Sequence, residues 1–203
     1  MRINKVLIIL LFPLIAELVV SCCNHCIDPL IGHYTNKTIL VKNIDNSGSV
    51  PMITTANSVL KEAFGIRAQL GREMTACLNL SKYLFIRTAS AMKCECPPPN
   101  QIFARDSVTA IQIFTINDFD TNHSSNSDVS EYFKVFKNSS FSTITDFLKD
   151  YNAVLYSESE LDLTIDLLLM TPPGLNISHS FKIKITLSDG RNLEGVSNAI
   201  ELK

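Results

Sequence analysis

Apolar and polar residues alternate most strictly in the last third of the chain. Leu161, Leu163, Ile165, Leu167 and Leu169 fall on one side of an extended backbone and Asp162, Thr164 and Asp166 on the other, until Pro172-Pro173-Gly174 turns the chain. Phe181, Ile183, Ile185 and Leu187 then alternate with Lys182, Lys184 and Thr186, Asp189-Gly190 supplies a tight hairpin, and 192–203 closes the pair. Earlier strands are predicted over 37–42, 65–70, 83–92 and 107–116, with Asn46-Ser47-Gly48-Ser49 as a turn cluster and Ser58 to Phe64 as one or two helical turns stopped by Gly65. Cys94-Glu95-Cys96-Pro97-Pro98-Pro99 ends the strand before it, because three prolines remove three backbone donors.

The middle of the chain reads differently. After the polar loop 121–127, Asp128 with Glu131 forms a capping box for a helix carrying Val129, Tyr132, Phe133 and Phe136, and Ser142 or Thr143 opens a second one carrying Ile144, Phe147, Leu148 and Tyr151. Seven or eight short strands with frequent turns predict a mainly β fold, an Ig-like antiparallel β-sandwich with one or two short helices in the middle of the chain. The alternative is an α+β domain with both helices on one face of a single sheet.

The first apolar run belongs to none of these elements. Arg2 and Lys5 precede an apolar stretch over 6–16, and Pro13 and Glu17 interrupt it short of the roughly 20 residues that a transmembrane helix needs. Val19-Val20-Ser21-Cys22 then resembles the bacterial lipobox, loosely because Val19 replaces the commoner Leu at the first position and Val20 is larger than the usual second residue. The expected organisation is a lipoprotein signal peptide over 1–21, a tether over 22–32 starting at a lipidated Cys22, and one β-sandwich domain over 33–203. Each buried methylene contributes about 0.8 kcal/mol, so several acyl chains hold a domain on a membrane durably. Such an anchor places the protein in the cell envelope, on the outer membrane, with the surface and periplasmic faces both open; Asp28 is the one acidic residue in the tether.

Composition narrows the function classes. The 203 residues are 46% hydrophobic and 19% charged, with 18 Lys and Arg against 20 Asp and Glu; without the leader the balance is 16 against 19. The basic residues are scattered, so the counterion-releasing patch that nucleic acid requires is absent. There is no Trp and there are five Tyr, which is few aromatic platforms for sugar recognition.

Of six Cys, a lipidated Cys22 leaves Cys23, Cys26, Cys77, Cys94 and Cys96, an odd number that permits two disulfides. Cys23-Asn24-His25-Cys26 has C-x-x-C spacing and, with Cys94 and Cys96, offers the thiolates of a tetrahedral zinc, although a redox C-x-x-C needs a strand before it and a helix after it. Asp118, Asp120 and Asn122 alternate like the opening of a calcium loop. His123 then replaces the turn Gly, and Val129 the closing Glu, of an EF-hand. No G-x-S-x-G, H-E-x-x-H or phosphate loop occurs, and Glu158 with Glu160 reads as the wet end of a strand rather than a glycosidase pair. Asn36, Asn79, Asn122, Asn138 and Asn176 begin N-x-Ser/Thr sequons that a bacterial lipoprotein leaves unused, and Asp106-Ser107-Val108 resembles a short bacterial O-glycosylation motif.

A leader with Ser21-Cys22-Cys23, the run Thr115-Ile116-Asn117-Asp118-Phe119-Asp120, the helix Thr145-Asp146-Phe147-Leu148 and the hairpin from Phe181 to Arg191 together are similar to an uncharacterised Bacteroidetes lipoprotein family of about 200 residues. That resemblance supports address and fold and carries over no catalytic residue. The expectation is a non-enzymatic, lipid-anchored envelope module without a cofactor, which binds another envelope protein or a glycan through its loops. The alternative is a thiol- or metal-dependent protein using Cys23, Cys26, Cys94 and Cys96.

Overall fold

The computed structural model describes residues 31–78, 101–153, 163–175 and 177–203. Two long strands form its spine, β1 (Ile31–Asp45) and β4 (Phe64–Leu78), antiparallel from Ile31 opposite Leu78 to Asp45 opposite Phe64. Between them lie β2 (Met52–Ile53) and β3 (Ser58–Val59). They are followed by β5 (Gln101–Ala104), β6 (Val108–Thr115), β7 (Phe133–Lys137), β8 (Ser140–Ser142) and α1 (Ile144–Ala153). The chain ends with β9 (Leu163–Leu169), β10 (Ser178–His179), β11 (Phe181–Leu187), β12 (Asn192–Val196) and β13 (Ile200–Leu202).

The large sheet runs β2-β1-β4-β9-β7-β8, with β5 parallel to the start of β1. Facing it is the sheet β12-β11-β6, and a small sheet, β10-β13-β3, closes one end. Ile66, Ala68 and Leu70 of β4 and Ile165 and Leu167 of β9 are buried in one core cluster with Ile111 and Ile113 of β6 and Ile183 and Ile185 of β11. The period-two side chains of both layers thus meet in a single core. The fold is mainly β and sandwich-like, as expected, and among the described residues it has one α-helix, in the middle of the chain.

Both alternating runs of the last third form strands where predicted, and Gly190, at φ +85, supplies the left-handed residue that turns β11 into β12. The second predicted helix is α1, opened by Thr143, whose hydroxyl accepts the Asp146 N–H at 3.1 Å and donates to the Asp146 carboxylate at 2.7 Å. Among the described residues no helix is long and apolar enough to cross a membrane.

Four local readings need correction. The helix expected over 129–136 is a single 3-10 turn, Ser130–Tyr132, followed by β7. Phe133 belongs both to the helical set with Val129, Tyr132 and Phe136 and to a period-two pair with Val135, and pairing of β7 with β9 and β8 decides for the strand. Asp128 caps no α-helix; its carboxylate accepts the Ser130 N–H at 2.9 Å in a local turn. Ser58–Phe64 holds β3 and one 3-10 turn, and Gly65 lies inside β4. The 192–203 stretch divides, because the Ser197 N–H donates to the Phe181 carbonyl at 2.9 Å while the Ser197 hydroxyl oxygen accepts the Phe181 N–H at 3.0 Å, and β13 leaves to join β10 and β3. The predicted strand over 83–92 lies outside the described residues.

One polar contact fastens the two layers at the end where β1 begins. Asp106, only 2% exposed, accepts hydrogen bonds from the Thr35 hydroxyl, the Asn36 N–H at 3.0 Å, the Asn36 amide at 2.9 Å and the Arg191 guanidinium. Arg191 also donates to the Asn36 carbonyl at 2.9 Å and to Asp189 at 2.7 Å. A buried carboxylate is tolerable only when so fully hydrogen-bonded, and here the partners come from β1 and the β11–β12 hairpin at once. Asn36, being buried in this knot, is no surface sequon.

Glycine sets the closest approaches. A Cβ at Gly65 would stand 2.8 Å from the Leu167 carbonyl and 2.5 Å from Leu168, whereas one at Gly48 would meet nothing nearer than 3.9 Å. In urea denaturation Gly65→Ala is expected to lose about 1–3 kcal/mol through overpacking, while Gly48→Ala is neutral or gains about 0.4–1 kcal/mol from a stiffer unfolded chain. Asp106→Ala strands several buried donors and is expected to cost about 1–3 kcal/mol; in the same assay Arg191→Met, whose head group is partly solvated, should cost less.

Candidate functional site

The loops between β6 and β7 and between β9 and β11 meet at the end of the sandwich opposite Ile31. The first is closed at its neck by the Thr115 N–H on the Ser127 carbonyl at 3.1 Å and the Asn126 N–H on the Thr115 carbonyl at 2.8 Å. Asn126 takes φ 64 there, a left-handed conformation that Asn tolerates. Inside this polar loop Phe119 is fully buried. Its ring stacks on Tyr132 at 5.2 Å and 12°, and meets Phe181 edge-on at 6.4 Å and 67°. Its carbonyl accepts the N–H groups of Gly174 and Leu175, each at 3.0 Å, so one residue ties both loops to the core.

Around that plug the polar side chains are ordered by short local bonds. Asp118 accepts the Ser125 N–H at 2.8 Å. Asp120 accepts the N–H groups of Asn122 and His123, both at 2.8 Å, and faces the His123 ring, Nδ1 lying 2.9 Å from Oδ1 and 3.1 Å from Oδ2. The imidazole stands edge-on to Tyr132 at 5.2 Å and 79°, and its Nε2 lies 3.9 Å from Oε1 of Glu131. Desolvation pushes the Asp120 carboxyl up, but the His123 ring and the two N–H groups outweigh it and hold the group below the ordinary aspartate value. The Tyr132 hydroxyl is pushed above its ordinary value by desolvation and by the charges of Asp120 and Glu131. Met170 and Leu175, 43% and 41% exposed, border the same face from the second loop.

At the other end Tyr34, Arg72 and Tyr151 gather. The Arg72 guanidinium lies 4.3 Å from the Tyr34 ring centroid and donates to Tyr151 at 3.4 Å, and burial, followed by the Tyr151 hydrogen bond, raises the Tyr34 phenol. This group joins α1 to β1 and β4. It lies over covered strand and has a structural part to play.

Of the residues singled out in the sequence, Asp118, Asp120 and Asn122 do share one loop, but the carboxylates of Asp118 and Asp120 turn to its own N–H groups. Among the described residues no three His, Cys, Asp or Glu side chains assemble to hold a metal. Cys77 lies in β4 opposite Gly32, and Cys22, Cys23, Cys26, Cys94 and Cys96 lie outside the described residues. The sequence reading missed His123 with Glu131, Phe119 as a core residue, and the Asp106–Arg191 contact. The one available signal was Phe119 itself, a large apolar residue in an otherwise polar run.

Fold and loops together define an antiparallel β-sandwich domain with a built loop face at one end. The chain belongs to the family described as a domain of unknown function, DUF5034, whose model matches residues 36–198. That agrees with the resemblance to an uncharacterised domain family. Comparison with curated proteins gives no match.

The lowered Asp120 carboxyl has a defined pH signature. Its stabilising bonds are fully present above the unfolded value of about 3.9 and are lost as pH falls through the lower folded value. Thermal melts between pH 5 and pH 2 should therefore show a smaller acid-induced fall in Tm for Asp120→Asn than for the wild type.

Proposed function

We propose that the protein is a lipid-anchored module of the bacterial cell envelope, of the Bacteroidetes lipoprotein kind, held on the outer membrane through Cys22, which binds another envelope protein through its loop face. The observation that carries this reading is the polarity of the sandwich. The chain comes in at Ile31, and the Phe119, Tyr132 and Leu175 loops lie beyond the opposite end of β1. At about 3.3 Å per residue the spine of 15 residues separates the two ends by about 45 Å. A tether at the first end presents the second to whatever the envelope holds.

The chemistry of that face favours a protein partner over a glycan. The Tyr132 ring is engaged by Phe119 on one side and by the edge of His123, while Met170 and Leu175 offer adaptable apolar contacts. The non-enzymatic reading is supported by loops built for shape, in which the carboxylates of Asp118 and Asp120 accept N–H groups of the loop's own backbone.

Replacement of Cys22 by Ser is expected to move the protein from the membrane fraction to the soluble one and to abolish labelling by radioactive palmitate. Retention in the membrane would sink the address. In cells, a photo-crosslinking residue at Leu175 should give a discrete adduct with one envelope protein, whereas one at Ser188, at the tethered end, should not; equal adducts at both would refute a distal binding face.

A further inference from the structure

The geometry points to a peptide-docking groove between the outer edge of β6 and α1, which takes up an extended acidic segment of a partner protein as an added strand. β6 is the last strand of its sheet, and its residues turn their backbone groups alternately towards β11 and outward. The Ile116 N–H, which donates to the Ser180 carbonyl at 2.9 Å, sets the even-numbered residues on the β11 side. The outward groups are covered at both ends of the strand. At one end the Ile113 N–H donates to the Ser130 hydroxyl and the Ile113 carbonyl accepts the Val129 N–H, both at 2.8 Å. At the other, past the register shift between Ala110 and Val108, the Val108 carbonyl accepts the Asn152 amide at 2.8 Å. Between them the N–H and C=O of Ile111 face outward, with no hydrogen-bond partner among the described residues. Ile111 is only 4% exposed, so this donor and acceptor lie in a recess, where backbone groups are normally paired.

The recess is a groove of about 340 Å³. Ile111 with the partly buried Ile144 and Leu148 gives it an apolar floor, and the exposed Thr145 and Lys149 form its rim on α1. An extended chain matches this arrangement. A strand lying about 4.8 Å from β6 sets one residue opposite Ile111, exchanges both backbone bonds with it, and directs that residue's side chain to the apolar floor. The residues on either side of it turn to the rim. Main-chain bonds then supply affinity and the alternate side chains supply selectivity, as in other cases of strand addition. Lys149 sets the charge of the occupant. It is the one charged side chain among the residues that line the groove, and it has no ion-pair partner among the described residues. The nearby Asp146 is taken up by the Thr143 hydroxyl at 2.7 Å. A carboxylate on the incoming strand is therefore attracted and a second cation repelled.

The groove is separate from the loop face and does not depend on the envelope address. Its test pans the full chain, in detergent micelles, against a phage-displayed library of short random peptides. Two variants are panned in parallel: Thr145→Trp, which fills the groove from an exposed helix position, and Lys149→Glu, which reverses its charge. The wild type should enrich acidic peptides with alternating apolar residues. Measured by fluorescence polarisation, the enriched peptide should bind Thr145→Trp and Lys149→Glu about 10-fold or more weakly, and Lys149→Glu should enrich basic peptides instead. The bound peptide should also slow deuterium exchange at the Ile111 N–H of the unmodified chain, a readout that stands even where a variant folds poorly. Three results overturn the assignment: no enrichment above Thr145→Trp, a peptide that binds both variants as tightly as the wild type, or unchanged exchange at Ile111.

Discussion

Burial of Phe119 is the constraint on which the loop end of this protein depends. A thirteen-residue connection from Ile116 to Asp128 would ordinarily be mobile, since it has no regular structure to satisfy its backbone. Here one aromatic ring leaves the loop and enters the core beside Phe181, which also contacts Phe64 at 5.7 Å and Phe133 at 5.4 Å. Full burial of such a side chain contributes roughly 1.5–3 kcal/mol, enough to offset much of the entropy of ordering its neighbours. Phe181 belongs to one sheet, and Phe64 and Phe133 to the other. The ring cluster that joins the layers therefore also positions Tyr132 and, through it, His123.

The opposite end is held by different physics. Around Asp106 the energy comes from satisfying a buried charge, and the partners lie 70 and 85 positions away in the chain. Such a contact adds modestly to net stability, yet it admits few alternatives. A slip of one residue in β1 would turn Thr35 and Asn36 away and leave the carboxylate buried without donors. The polar knot specifies how the hairpin sits on the spine, and the apolar core provides most of the favourable free energy.

This division of labour would serve the tethered binding module proposed above. A spine of two 15-residue strands is stiff along its length, the knot fixes the hairpin towards the Ile31 end of β1, and the ring cluster holds the far loops. The loop face combines the ordered Asp120–His123 pair with exposed methionine and leucine, which is the surface the proposed protein partner would meet.

The sequence alone determined the features that local chemistry decides. Period-two alternation places 163–169 and 181–187 in strands, the Asp189-Gly190 turn joins β11 to β12, and Thr143 caps the one helix, because each depends on neighbours a few residues apart. The lipobox-like run that ends at Cys22 is equally local. Only the tertiary structure decided that 133–137 is a strand, since Phe133 fits a helical set with Val129 and Phe136 as well as a period-two pair with Val135, and β9 selects the second. It alone sent the last strand to a separate sheet, made Phe119 a core residue and set Glu131 opposite His123. Those outcomes rest on strand register and on packing between layers, which are summed over contacts distant in sequence and leave no periodic trace in it.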